Sequence, residues 1–128
     1  MTIRIVRLGT ARLPGEGLRV GTVRRPPRGV PKSEFASGDW YDVWYPELSP
    51  SADLVKFAQA AGSEDDWRMF VKRFRAEMAE PAPARTLALL AALSHQTDFA
   101  MGCYCEQEAH CHRSVLRALL QELGASVS

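Results

Sequence analysis

The sequence has no apolar run approaching the roughly 20 residues that a membrane-spanning helix needs. Arginines already interrupt the N-terminal stretch Met1-Thr2-Ile3-Arg4-Ile5-Val6-Arg7, so neither a signal peptide nor a membrane partner is expected, and a cytoplasmic location is. Cysteine is scarce: the chain has 3, all between Cys103 and Cys111. That is too few and too clustered for the disulfide framework of a secreted domain, which leaves ligand, redox or catalytic roles. No internal repeat appears, and the net charge is only +1. What is present, 128 residues with 46% hydrophobic and 24% charged, suits one globular domain spanning 1–128 with one core.

The small net charge hides an uneven distribution. Residues 1–32 hold Arg4, Arg7, Arg12, Arg19, Arg24, Arg25, Arg28 and Lys32 against Glu16 alone, and the remainder is acidic. A basic N-terminal part either faces an anionic ligand or nucleic acid, or answers the acidic remainder within the fold.

Ile3–Leu8 and Leu18–Val23 read as strands separated by the turn Leu13-Pro14-Gly15-Glu16-Gly17. Arg24–Lys32, RRPPRGVPK, is too rich in proline for ladder or helix and is expected to be a basic loop. Phe35–Tyr45 concentrates Phe35, Trp40, Tyr41, Trp44 and Tyr45, whose spacing fits a helix or a strand equally. Ser49-Pro50-Ser51 should start a helix over Ala52–Ala61 with Gly62 as its stop, and Ser63-Glu64-Asp65-Asp66 should start another. That second helix places Trp67, Phe70, Val71, Phe74 and Met78 on one face.

Pro81 and Pro83 should separate it from an Ala/Leu helix over roughly Ala84–Ser94, with Leu87, Leu90 and Leu93 buried. Phe99–Tyr104 reads as an internal strand. The last helix, about His112–Leu123, turns Val115, Leu116, Leu119, Leu120 and Leu123 inward and stops at Gly124. The order predicts an α/β fold: a mostly parallel sheet of about four strands with helices packed on it, ending in a strand-loop-helix unit that carries a Cys/His/Arg cluster. Ligands of such sheets bind where strand carboxyl ends feed loops, here after Val23 and after Tyr104.

The cluster runs Cys103-Tyr104-Cys105-Glu106-Gln107-Glu108-Ala109-His110-Cys111-His112-Arg113. Three chemistries fit. Cys103, Cys105 and Cys111 with His110 or His112 would make the Cys₃His set that tetrahedral zinc accepts, although C-x-C is tighter than the usual pairing. Cys111, helped by His110 or His112, could be a catalytic thiolate near a helix start. The H-C-x₅-R match ending at Arg117 lacks the glycines that cradle phosphate and is read as accidental. A regulatory disulfide between Cys105 and Cys111 is a weaker variant.

The third chemistry is anion recognition by Arg113 in the first helical turn, flanked by His110 and His112, with Arg24, Arg25 and Arg28 closing from the basic loop. A phosphate-bearing metabolite or nucleotide is the partner expected of it, and the aromatic block beside the arginines adds nucleic acid. A purely structural role, with Cys103 and Cys111 buried and Arg113 paired to Glu106 or Glu108, remains open beside these, as does the oligomeric state.

Two blocks carry a family resemblance. Pro27-Arg28-Gly29-Val30-Pro31-Lys32, followed by Glu47-Leu48-Ser49-Pro50-Ser51 and by the helix Trp67–Glu77, is similar to P-R-G-V-x-K, E-L-x-P-S and W-x-x-F-x-x-R-[YF]-x-x-E. Cys111-His112-Arg113 after a strand resembles a C-H-R ending. On these residues the chain resembles the domain of unknown function family 488, the YeaO-like proteins. The resemblance implies a compact α/β fold, no settled activity, and Arg28 and Arg113 in one site. Members often carry an Asp near the end of the second strand, where this chain has Gly21-Thr22-Val23-Arg24 and so no carboxylate base.

Overall fold

A computed structural model describes all 128 residues. In chain order the elements are β1 (Ile3–Arg7), β2 (Leu18–Gly21), β3 (Val43–Trp44), α1 (Ala52–Ala60), α2 (Glu64–Met78), α3 (Pro81–Leu93), β4 (Phe99–Cys103) and α4 (His112–Glu122). All four strands are parallel, in the order β1-β4-β2-β3. The expected α/β architecture is therefore present. Every residue of β4 is buried, as a strand paired on both edges and covered on both faces must be.

The four helices share one core with one face of the sheet. Ile3, Phe99 and Met101 meet Leu54 of α1, Phe70, Phe74 and Met78 of α2, Leu87 and Ala91 of α3, and Val115, Leu116 and Leu120 of α4. On the opposite face, loops replace helices. Tyr41 packs so closely on Gly21 that a Cβ there would lie 2.4 Å from its ring.

The loop face is held by Arg19. Its side chain is 0% exposed, and every guanidinium N–H is used. Nε and Nη2 donate to the two Glu16 carboxylate oxygens at 2.6 and 3.2 Å, Nη1 to the carbonyls of Thr10 and Asp39, and Nη2 also to that of Ala11. One buried side chain thus fastens the β1–β2 connection and the aromatic segment to β2. Of the two readings of the basic N-terminal part, Arg19 follows the one in which charges are answered within the fold.

Several local expectations change. The aromatic segment is neither one helix nor one strand: a 3-10 turn at Lys32–Glu34 and further turns lead to the two-residue β3. Pro81 and Pro83 do not separate α2 from α3 but sit inside the first turn of α3, where an N–H has no helical acceptor to lose. Leu93 and Leu123 are exposed, and Ala91 is the buried residue of α3's last turn. Gly62 is not in the left-handed region; α1 ends on an extended Ala61, whereas Gly124 stops α4 at φ 83° as expected.

Burial pushes the Glu16 carboxyl up, but hydrogen bonds from Arg19 and the Leu13 N–H, with the Arg19 charge, hold it below its ordinary value. Its contribution to stability is thus full above the unfolded-state pKa, about 4.3, and is lost as pH falls through the lower native value. Glu16→Gln, which leaves the Arg19 charge buried without a counter-charge, should lower unfolding free energy in urea by about 3 kcal/mol at neutral pH and flatten this part of the acid limb.

Candidate functional site

The carboxyl ends of β1, β2 and β4 open onto one pocket of about 960 Å³. Three stretches supply most of its wall: Arg7–Thr10 after β1, Val23–Arg28 after β2, and Cys103–Cys105 after β4. Residues from α1, the Trp67 and Phe70 side of α2, and His110 to His112 at the start of α4 complete it. The two loops expected to hold the site are thus brought together.

At the floor, Cys103 and Cys111 are buried and Cys105 is exposed. The Cys103 and Cys105 sulfurs lie 3.8 Å apart. Cys105 falls just beyond β4, and a spacing of two residues in near-extended chain brings its sulfur to the same side as that of Cys103. Cys111 is the N-cap residue of α4, and its sulfur lies 3.7 Å from Nδ1 of His112. Cys103, Cys111 and His112 place their ligating atoms within 4.8 Å of one another.

The ring of His112 is fixed from β2. Its Nε2 lies 2.6 Å from the carbonyl oxygen of Thr22. A carbonyl can only accept, so Nε2 carries a proton, and in the neutral ring Nδ1 turns its lone pair towards the Cys111 sulfur. The Thr22 hydroxyl donates to the Gly102 carbonyl and sits 3.3 Å from the same Nε2. Phe74 of α2 meets the imidazole edge-on.

The three thiols differ. Cys103 is pushed up, first because it donates to the Cys105 and Cys111 sulfurs and then by burial. Cys105 is pushed down by hydrogen bonds from Cys103 and Cys111, with the nearby Arg113 charge assisting. Cys111 is also lowered, chiefly by the Cys103 hydrogen bond.

The remaining site candidates divide. Arg28 is exposed on the pocket rim, and Arg24 lines the pocket while donating to the carbonyls of Pro50 and Ser49. Arg113 is not on the pocket wall. It is 4% exposed, donates from Nη2 to the Cys105 carbonyl at 2.7 Å, and its buried Nε has no partner. The pairing of Arg113 with Glu106 or Glu108 does not form: Glu106 faces Arg7, and Glu108 takes both arms of Arg117. Arg117 therefore has no part at Cys111.

His110 turns away from the thiols to Glu64, at 3.4 Å, and to the Trp67 ring. His112 is the histidine that joins the cysteines. Of the aromatic block, Tyr41 is buried beside Phe35, and Trp40 packs edge-on against Tyr104.

A family model described as "Active DUF488-N3 subclade" matches residues 3–124. The chain belongs to the DUF488 family. No curated protein and no solved structure matches it. The DUF488 match encloses every residue of the pocket. Segments that carried the resemblance meet in space: the Ser51 hydroxyl and N–H bind the Glu77 carboxylate at 2.6 and 2.9 Å, tying the start of α1 to the end of α2.

Sequence reasoning missed Thr22, Arg7, Lys56 and Trp67 as residues of the site. A signal for Thr22 was its place just past the second strand, at the sheet's carboxyl edge. Lys56 and Trp67 looked like ordinary helix residues, and only packing brings them to the pocket.

Exposure predicts an ordered alkylation. With chelator and reductant present, iodoacetamide should give one fast adduct per folded chain, at Cys105, with Cys103 and Cys111 reacting only on unfolding. Peptide mass spectrometry locates the adduct, and Cys105→Ser should remove the fast phase.

Proposed function

We propose that the pocket binds a phosphate-bearing ligand with a flat ring, a nucleotide or a molecule of like chemistry. The observation that carries this is electrostatic. Arg7, Arg24, Arg25, Arg28 and Lys56 line the pocket, and no Asp or Glu does, in a chain that has 15 of them. Walls of one sign concentrate an oppositely charged ligand, and guanidinium groups suit phosphate oxygens best. Trp40, Trp67, Phe70 and Tyr104 add flat apolar surface. The volume lies at the upper end of the usual range for small-molecule sites, about 300–1,000 Å³.

Arg113 acts from behind the wall in this reading: it holds the Cys105 carbonyl and puts its charge beneath the floor. Cys105, rather than the buried Cys111, is the thiol that a bound ligand meets. A reducing compartment such as the cytosol suits three free thiols this close together.

Calorimetric titration of the full chain with pyrophosphate and with adenosine 5′-monophosphate tests the reading. Arg28→Ala should weaken binding about tenfold, as expected for one charge-assisted contact at an open rim, and the affinity should fall with added salt. Arg68→Ala, whose side chain pairs with Asp65 and does not line the pocket, should change nothing. Absence of binding by either probe, or equal affinity in Arg28→Ala, contradicts the proposal.

A further inference from the structure

We infer that Cys103, Cys105, Cys111 and His112 hold one tetrahedral, thiolate-seeking divalent metal ion, zinc foremost, at the floor of the pocket. This goes beyond the anion reading and does not depend on it. A zinc ion with Zn–S bonds near 2.3 Å and a Zn–N bond near 2.0 Å sets its ligands apart by about 3.8 Å between two sulfurs and about 3.6 Å between sulfur and nitrogen. The Cys103 and Cys105 sulfurs are 3.8 Å apart, and the Cys111 sulfur and His112 Nδ1 are 3.7 Å apart. Two opposite edges of the tetrahedron are therefore already at length. The buried ligand atoms of Cys103, Cys111 and His112 lie within 4.8 Å of one another, so a small inward shift closes the edges among these three, and the exposed Cys105 side chain swings in to complete the set.

Two further features point the same way. The His112 ring is held through Nε2 by the Thr22 carbonyl, the outer contact that usually orients a metal-binding imidazole, leaving Nδ1 free to ligate. Arg113 is a buried cation with no carboxylate partner and an unpartnered Nε, and it lies under the Cys105 main chain. A divalent ion bound by three thiolates and a neutral imidazole carries one net negative charge, which supplies that missing counter-charge. Soft sulfur ligands in this geometry favour zinc over magnesium or calcium. Cys105 is the only exposed sulfur of the four ligands, so the ion sits with one ligand on the pocket side.

Cobalt(II) titration of the reduced, metal-free full chain in phosphate-free buffer reads the site directly. The expected result is one equivalent bound, with sulfur-to-cobalt charge-transfer absorption and the visible bands of tetrahedral cobalt, both abolished by added zinc. Cys105→Ser should retain tetrahedral binding but lose about one third of the charge-transfer intensity, as three thiolates become two. His110→Ala should leave the spectrum unchanged. No saturable uptake by the wild-type chain, or an octahedral spectrum, overturns the site, and so does undiminished charge-transfer intensity in Cys105→Ser. Because the wild-type chain alone decides the first point and no phosphate is present, this result and the Arg28→Ala titration can fail separately.

Discussion

One hydrogen bond, from Nε2 of His112 to the carbonyl of Thr22, joins the parts of the chain on which the site depends. Thr22 follows β2 and His112 begins α4, ninety residues later in sequence. The bond fixes where α4 starts relative to the sheet, sets the tautomer of the imidazole, and turns Nδ1 towards the Cys111 sulfur. Without it, no hydrogen bond from β2 would hold the imidazole beside Cys111 and Cys103. With it, a buried imidazole and two buried thiols share one small volume.

The sheet order explains why this happens at the floor of a pocket. β4 is threaded between β1 and β2, so its carboxyl end lies between the loops that leave both neighbours. The loop after β2 is rich in arginine and proline, and all the thiols lie at the end of β4 itself and in the segment that follows it. Helices cover one face, and the buried Arg19–Glu16 pair secures the loops on the other. Arg12 assists by pairing with Asp42 at 2.7 Å. Part of the basic character of the N-terminal part is therefore used inside the protein by Arg12 and Arg19, while Arg24, Arg25 and Arg28 keep theirs for the pocket.

The main elements were legible because they follow local rules. Ser63 caps α2 and Gly124 ends α4, and both lie where the sequence places them. The Cys103–Arg113 cluster and the arginine loop were recognisable from composition, and a parallel sheet brings such loops together. What stayed hidden depended on direction. Spacing in Phe35–Tyr45 could not reveal turns ending in a two-residue strand, because tertiary packing of Tyr41 and Trp40, rather than periodicity, sets that path. Nor could it choose between His110 and His112, two residues apart on either side of Cys111; a 3-10 turn at Glu108–His110 sends one to Glu64 and the other to Thr22. Nor does the sequence show that Arg19 and Arg113 are buried, since burial of an arginine requires partners from distant segments.

The account's central claim concerns the orientation of His112, and nitrogen-15 NMR of its imidazole tests it most directly. In the reduced, metal-free chain, the neutral form of the His112 ring should be a single tautomer, with its proton on Nε2 and an unprotonated Nδ1. A neutral ring protonated on Nδ1, or one averaging between tautomers like a solvent-exposed histidine, would contradict it.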